Sequence, residues 1–397
     1  MQNTLTTQRI LSIDALRGIT ILVMIFVNEL SGVSGIPAWM KHMPADADAM
    51  TFVDVVFPAF VFIVGMSIPF AINNRLSKGD NFVQLQKHIL GRTIGLLVLG
   101  IFMVNAEGGY NEQAMGMSIH IWSLLFYAFA ILIWNVYSFK QKTIPILLRV
   151  IGIAGLLVLA FLYRGGDDGS ARLTPHWWGI LGLIGWAYLV ASILYEVVQG
   201  KVIGLIAAIV VLIGYYCLGK LDVTHTSPFL NSLFGQGGHA ILSAVALCGV
   251  VLSLLFFDER KSKTTQKRFT EALIFTLVLF VIGFFLRPYY QISKIHATPT
   301  WALYSAGICC VIFMFLYWLI DLRKINVWTA FFKPAASNPL LTYIIPFIVY
   351  AIMRYFNISF PAMFYEGLAG LLWSVAFAVI VMGFVIWLNK LNIKLQL

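Results

Sequence analysis

The sequence predicts an all-α polytopic membrane protein, a bundle of about 12 transmembrane helices, from three observations. First, 60% of the 397 residues are hydrophobic and only 11% are charged, whereas soluble proteins carry about 25% charged residues. Second, the apolar residues form runs of about 20, the length that crosses a bilayer as a helix. Third, no run alternates as barrel strands do, so helices must satisfy the backbone in lipid. A soluble enzyme, a fibrous protein and a disordered chain are excluded.

Twelve apolar segments are long enough to be spans. They lie near 11–31, 52–72, 90–105, 119–137, 144–163, 177–199, 202–219, 239–257, 271–287, 301–320, 339–353 and 367–388. The segment from Gly79 to Gly91 is predicted to be a short interfacial helix that leads into the third span. The polar connections reach only about twenty residues, too few for a soluble domain, so residues 1–397 are expected to form a single integral-membrane domain.

The basic residues predict the orientation of the chain. With the N-terminus inside, 20 of the 27 lysine and arginine residues fall in inner segments and 7 in outer ones, which is a strong positive-inside bias. The outer seven are Lys41, Arg164, Arg172, Lys220, Arg287, Lys294 and Arg354. We therefore expect both termini in the cytosol and a cytoplasmic (inner) membrane location, and we attribute the net charge of +10 to topology rather than to nucleic-acid binding.

Polar residues crowd the first two spans and their connection, and such residues within a bilayer often mark function. Asp14 and Arg17, three residues apart, are expected to form a local ion pair. Asn28 interrupts the apolar run near the outer end of the first span. His42 lies in a flexible, proline-punctuated loop, and its imidazole suits proton transfer near neutral pH. The adjacent Lys41 would favour the neutral, basic form of this imidazole.

Six histidines fall on the outer side, and the sequence alone does not choose among them. They are His42, His120, His176, His225, His239 and His296. No pair has the spacing of a zinc site on one helix face, so no metal is expected.

Asp54 precedes Pro58 by four residues, near the start of the second span. Because proline has no N–H group, it leaves the carbonyl of Asp54 without a helical partner and bends the helix. Kinks of this kind often line cavities in helical bundles. Asp54 is therefore predicted to act either in catalysis or as a kink and cap residue.

A second polar cluster stands at the cytosolic entry of the eleventh span, where Lys333, Ser337 and Asn338 precede an apolar run. A basic group beside amides and hydroxyls at a helix N-terminus is typical of an anion site. An ordinary helix cap is the alternative interpretation.

At these residues the sequence resembles the heparan-α-glucosaminide N-acetyltransferase family, whose bacterial branch includes proposed membrane glucosamine N-acetyltransferases. The first motif region, residues 9–75, contains RILSIDALRGITILVMIFVN, the KH pair and TFVDVVFPAFVFIVGMSI. The second, residues 295–350, contains PTWALYSAG and NVWTAFFKPAASNPLLTYIIP. The middle of the chain is similar to the family in PHWWGILGLIGWAYLVASILYE.

This resemblance implies a transmembrane acetyltransferase that moves acetyl from cytosolic acetyl-CoA to the amine of an extracytoplasmic amino sugar of the glucosamine type. It implies that His42 is the active-site histidine, a general base or a transient acyl carrier. Asn28 matches the active-site asparagine, whose amide could donate to the oxyanion, and Asp54 matches the acidic residue of a D-x-x-F-P motif. The phosphates of CoA require a basic entrance. The candidates for it are Arg17, Arg75, Arg92, Lys333 and Asn338.

Two alternatives remain open. Twelve spans with both ends inside also fit a sugar transporter or glycan flippase, although the two halves show no internal repeat. O-acetylation of a glycan hydroxyl fits the same residues. The expected partners are acetyl-CoA, an amino-sugar or glycan acceptor and membrane lipids, with a homodimer as one option for the oligomeric state and no nucleic acid.

Overall fold

The computed structural model describes residue 5 and residues 10–259 and 264–397. This part of the chain is nearly all helical and contains no β-strand, which confirms the predicted all-α fold class. Four of the inner basic residues that predict the topology, Arg9, Arg260, Lys261 and Lys263, lie outside the described residues, and Arg9 is also the first residue of the first motif. The side chain of His225 lies outside them as well.

Each of the twelve predicted spans coincides with one long helix. The helices are α1 (Leu11–Leu30), α2 (Phe52–Ser77), α3 (Phe82–Glu107), α4 (Ile119–Trp134), α5 (Thr143–Leu162), α6 (Gly179–Val197), α7 (Val202–Leu218), α8 (Gly237–Phe257), α9 (Thr265–Tyr290), α10 (Pro299–Leu316), α11 (Pro339–Tyr355) and α12 (Gly367–Lys390). Within the described residues, nine helices are long and apolar enough to cross a membrane. The other three, α4, α7 and α11, are apolar helices of 16 or 17 residues. The chain is a polytopic membrane protein.

The third span differs from its prediction at one end. Helix α3 begins at Phe82 and continues to Glu107 without a break, so the separate interfacial helix predicted over Gly79–Gly91 is wrong. A separate helix was predicted because Phe82, Leu85 and Ile89 fall on one helix face in this segment. The helix continues through it because its glutamine, lysine and leucine residues are good helix formers.

The chain folds into two compact units, each made of segments that are not consecutive in the sequence. Unit 1 contains the described residues within Met1–Thr20, Pro37–Thr93 and Leu183–Thr329. Unit 2 contains Ile21–Ile36, Ile94–Gly182 and Ala330–Leu397.

Helix α8 forms the centre of unit 1. It is apolar on all sides, and residues 240–254 are all buried, as expected for a helix with no polar face. It packs against α2, α7, α9 and α10. Small residues bring α2 and α8 together, because a Cβ added to Gly65 would overlap the carbonyl oxygen of Ala246. The buried Ser253 hydroxyl also donates to the carbonyl of Met66, at 2.9 Å. This close crossing fixes the helix that carries Asp54.

Unit 2 is built on helices α4, α5, α11 and α12. Helix α4 packs against α5 and α11, and α11 packs against α12. Many exposed side chains of α5 are large and apolar, including Leu147 and Phe161, as expected for a helix that faces lipid. Three of the four cysteines, Cys248, Cys309 and Cys310, are buried within unit 1 as small apolar residues, whereas Cys217 is partly exposed.

Candidate functional site

The loop that carries His42 enters α2 through a capping box. The side chain of Thr51 accepts a hydrogen bond from the backbone N–H of Val53, at 3.2 Å. In return, the carboxylate of Asp54 accepts from the N–H of Thr51, at 3.0 Å. This reciprocal pattern satisfies donors that a helix start leaves free. It also places the Asp54 carboxylate in the first turn of α2, where the helix dipole stabilises negative charge.

Asp54 orients His42. Its Oδ1 accepts from Nδ1 of the imidazole, at 2.7 Å, and its Oδ2 accepts from the N–H of Met43, at 3.3 Å. The Asp54 side chain is only 1% exposed, whereas that of His42 is 38% exposed. Because Nδ1–H is the donor to Asp54, the neutral ring carries its lone pair on Nε2. A buried carboxylate thus presents a partly exposed imidazole as a base.

Lys294 is the cation that faces this imidazole. Its Nζ lies 3.1 Å from Nε2 and 3.2 Å from Nδ1 of His42. The residue is half-buried, and burial lowers the pKa of the Lys294 ammonium below its ordinary value, while the charge of Asp54 acts in the opposite direction.

The sequence predicts that Lys41, the neighbour of His42, favours the neutral form of the imidazole, and in the structure the lysine within hydrogen-bond distance of the ring is Lys294. The backbone at Lys41 is extended, so neighbouring side chains point in opposite directions. The carbonyl of Lys41 does contribute, since it accepts from the hydroxyl of Thr51 at 2.9 Å. Lys294 is a functional candidate that sequence reasoning missed. The only local signal was that it is one of the few basic residues on the outer side.

The loop of His42 is anchored to the last turn of α9 and to the connection between α9 and α10. Arg287 donates from Nε to the carboxylate of Asp48, at 2.9 Å, and from Nη2 to its carbonyl, at 3.1 Å. The N–H of Ile292 donates to the same carboxylate, at 2.8 Å, and the hydroxyl of Ser293 donates to the carbonyl of Ala45, also at 2.8 Å. A loop that the sequence predicts to be flexible is therefore held by several long-range hydrogen bonds.

A hydrogen bond to α2, one turn before Pro58, connects the two motif regions. The sequence predicts that Pro58 leaves the carbonyl of Asp54 without a helical partner. In the structure this carbonyl accepts from the indole Nε1 of Trp301, at 3.0 Å, and Trp301 is buried. The tryptophan belongs to the PTWALYSAG motif at the start of α10. The motif thus supports the backbone of the residue that orients His42.

Asn28 lies in unit 2, on a cavity of about 330 Å³. The neighbouring Glu29 also lines it, and its carboxylate accepts from the hydroxyl of Tyr350, at 2.6 Å, and from the indole of Trp373, at 3.0 Å. The other polar side chains on the cavity are Glu107, His120, Ser123 and Arg354, and the aromatic ones are Tyr127, Tyr343, Phe347 and Phe377. A cavity with carboxylates, an amide and aromatic faces suits a polar ligand that carries hydroxyl or amino groups. Sequence reasoning missed Glu107, Tyr350 and Arg354, because they come from helices far apart in the chain.

The basic candidates for a CoA entrance differ in their surroundings. Arg17 forms the predicted local ion pair with Asp14, at 3.3 Å, and also donates to the hydroxyl of Ser67, at 2.9 Å. Arg75 pairs with Asp80, at 2.8 Å, and lies 2.9 Å from Nδ1 of His88.

Arg92 adds a third basic group to the neighbourhood of Arg75. It is close enough to His88 for an electrostatic interaction, and its guanidinium lies 4.6 Å from the ring centroid of Tyr188. Its Nε is buried and has no hydrogen-bond partner within the described part of the chain. Arg75, His88 and Arg92 therefore form a basic cluster where α2 ends and α3 begins, which suits a phosphate.

The anion site predicted before α11, at Lys333 and Asn338, differs from the basic cluster because its amide is already hydrogen-bonded within the protein. Lys333 begins a short helix, Lys333–Ser337, and Asn338 stands before α11. The amide of Asn338 is fully buried and donates to Oδ1 of Asn389 and to the carbonyl of Ile393, at 2.9 Å each. Its oxygen accepts from the N–H of Leu395, at 3.1 Å. The side chain thus holds the C-terminal segment, and it makes no side-chain cap hydrogen bond to α11.

The comparison with known families matches residues 9–233 to the family described as a domain of unknown function, DUF5009. The chain belongs to the DUF5009 family. It is 38% identical over 98 residues to heparan-alpha-glucosaminide N-acetyltransferase of Homo sapiens, and 33% identical over 101 residues to that of Mus musculus. These matches cover 24% and 25% of this chain and 14% of each relative. They confirm the resemblance that the motifs indicate. Among the residues that the structure describes in this DUF5009 member, no group of three or more histidine, cysteine or acidic side chains could hold a metal ion.

Proposed function

We propose that this DUF5009 protein is a transmembrane acetyltransferase that moves acetyl from cytosolic acetyl-CoA to the amine of an extracytoplasmic amino sugar of the glucosamine type. The observation that carries the proposal is the Asp54–His42 pair, in which a buried carboxylate holds Nδ1 at 2.7 Å and leaves Nε2 as the base. The two mammalian relatives are N-acetyltransferases, which supports the reaction class.

The proposed reaction needs a base and a donor to the oxyanion. His42 removes a proton from the acceptor amine as the amine attacks the thioester carbonyl. Asn28 donates from its amide to the oxygen of the tetrahedral intermediate. The intermediate expels the CoA thiolate, which takes up the proton that His42 holds.

In the alternative route, His42 first accepts the acetyl group itself and then passes it to the amine. Rapid quenching with labelled acetyl-CoA and no sugar distinguishes the two routes. Label on the His42 peptide indicates the acyl carrier, and its absence indicates the general base.

We propose that the phosphates of CoA bind at the cluster of Arg75, His88 and Arg92. The buried Nε of Arg92 supports this choice, because it has a hydrogen bond to give. Arg17 and Lys333 remain weaker candidates, and Asn338 is omitted because its amide holds the C-terminal segment.

Purified full-length protein in detergent tests the activity. It is incubated with labelled acetyl-CoA and either glucosamine or glucose, which differ only in the group on C2. Transfer to glucosamine alone supports N-acetylation, whereas transfer to both sugars favours O-acetylation. If neither sugar is acetylated and sealed vesicles accumulate labelled sugar, the protein is a transporter.

The proposed orientation has its own test. We propose an inner-membrane location with both termini and the loop around Thr264 in the cytosol, and with the loop around Asp46 outside, on the basis of the basic-residue asymmetry. Single cysteines at these two exposed positions, in a background without native cysteines, are treated with a membrane-impermeant thiol reagent on intact cells. We expect labelling at position 46 but not at position 264, and the opposite result would reverse the topology.

A further inference from the structure

The structure places a primary amine of the protein directly against the proposed base. The Nζ of Lys294 lies 3.1 Å from Nε2 and 3.2 Å from Nδ1 of His42. Since Asp54 already accepts the hydrogen of Nδ1, Nε2 is the nitrogen free to accept a proton from this amine. An acceptor amine of the proposed reaction needs the same relationship to the base, within hydrogen-bond reach.

The backbone holds Lys294 in this position. On one side, Gln291 ends α9 with a positive φ of 53°, and on the other, Ala297 has a positive φ of 47°. Such conformations cost free energy in residues other than glycine and persist where the surroundings enforce them. Ser293 fixes the segment further, since its N–H donates to the hydroxyl of Thr298, at 3.0 Å. The amine is thus presented to His42 by an ordered segment.

The environment also favours the reactive form of this amine. Only the neutral amine is a nucleophile, and burial lowers the pKa of the Lys294 ammonium, although the charge of Asp54 opposes the shift. A larger fraction of Lys294 is therefore neutral at a given pH than of a lysine in water.

We propose that Lys294 is a site of self-acetylation, in which its Nζ takes the place of the acceptor amine when acetyl-CoA is bound and no acceptor is present. Nζ attacks the thioester carbonyl, and His42 takes a proton from the nitrogen. The carbon–sulfur bond then breaks, the CoA thiolate receives that proton, and the products are an amide on Nζ and free CoA. This inference rests on the proposed function.

The modification would change the site, because the amide carries no charge. His42 would lose the cation beside its ring, and the added acetyl group would occupy the space next to Nε2. An acceptor that binds against His42 must displace the Lys294 amine, so it should protect Lys294 from acetylation. Self-acetylation therefore reports which amines enter the site.

The test uses the full-length protein in detergent with acetyl-CoA and no sugar, and peptide mass spectrometry follows acetylation over time. Lys41 is the matched internal control, because it adjoins His42 in sequence and is also half-buried. We expect Lys294 to be acetylated about 10²-fold faster than Lys41, within the usual contribution of a positioned base. In His42→Ala, the rate at Lys294 should fall to that at Lys41. In the wild-type protein, glucosamine added before acetyl-CoA should slow the acetylation of Lys294.

Three results would overturn the inference: equal rates at Lys294 and Lys41, an unchanged Lys294 rate in a folded His42→Ala protein, or no protection by an acceptor that is itself acetylated. Acetylated glucosamine with unmodified Lys294 would refute self-acetylation and leave the proposed function standing. If neither glucosamine nor Lys294 is acetylated, the proposed function and the inference both fail.

Discussion

Asp54 Oδ1 accepts the Nδ1–H of His42 at 2.7 Å, across twelve residues of sequence that contain a loop and a helix start. The carboxylate is fixed by the first turn of α2, and the imidazole is brought to it by the loop. The pair therefore depends on the helix cap of α2 and on the loop anchors, and each can be changed separately.

The charge of Asp54 can be removed with little change in shape. In Asp54→Asn, the N–H groups of Thr51 and Met43 need an oxygen where Oδ2 now lies, so the amide turns its NH2 toward His42. The imidazole then carries its hydrogen on Nε2 and is no longer a base there. We expect turnover to fall by about 10⁴-fold, as in other histidine–carboxylate pairs that lose the charge. Steady-state kinetics measure this, with the exposed loop residue Asp46→Asn as the control, and a decrease below ten-fold would contradict the assignment.

Removing the Asp48 anchor tests whether turnover depends on the position of the His42 loop. Asp48→Ala removes the acceptor for Arg287 and for the N–H of Ile292. Since the ion pair is partly exposed, the free energy of unfolding should change by about 1 kcal/mol or less. Turnover should fall by about 10–100-fold, because His42 is displaced from its reactive position. Asp46→Ala, two residues earlier in the same loop, should retain activity. Equal turnover in the two variants would show that the anchor does not position the base.

Asn28 tests the oxyanion donor. Its side chain is exposed to the unit 2 cavity, so Asn28→Ala removes an amide without unpacking a core. We expect turnover to fall by about 10²–10³-fold, with little effect on thermal stability, if the amide donates to the developing oxyanion. Asn74→Ala, an exposed asparagine at the end of α2, is the matched control. A loss of stability equal to the loss of activity would point to a structural role instead.

Substitutions at two glycines distinguish the effect of close helix packing on stability from the effect of helix propensity. In Gly65→Ala the new Cβ overlaps the carbonyl of Ala246, whereas a Cβ on Gly91 meets no atom within 4 Å. Gly65→Ala should lower the free energy of unfolding by about 1–3 kcal/mol or more, because α2 and α8 must move apart. Gly91→Ala should raise it by up to about 1 kcal/mol, through better helix propensity. Thermal unfolding in detergent compares the two, and similar effects would contradict the close crossing.

The local features of the fold could be predicted from the sequence. A run of about 20 apolar residues is sufficient to form a span, and so every predicted span coincides with a helix. The carbonyl of Asp54 could also be predicted to lack a helical partner, because Pro58 lies four residues later. That Trp301 fills this place could not be predicted, since the two residues are 247 positions apart.

The candidate site was only partly predictable for the same reason. Lys41 adjoins His42 and was expected to favour its neutral form, but the lysine that reaches the ring is Lys294, which lies 252 positions along the chain. Asn338 was expected at an anion site from its place before α11. Its partners, Asn389 and Ile393, lie in the last ten residues of the chain, and no local pattern connects them.

The role of His42 as the base is tested most directly by the turnover of His42→Ala with acetyl-CoA and glucosamine. The comparisons are wild type and His176→Ala, whose imidazole is exposed elsewhere in the chain. Because the side chain of His42 is partly exposed, its removal should leave the protein folded and able to bind CoA. We expect a loss of about 10²–10⁴-fold for His42→Ala and a change of no more than a few-fold for His176→Ala. Near-normal turnover in folded His42→Ala protein would contradict the role of His42 as the base and move the active site elsewhere.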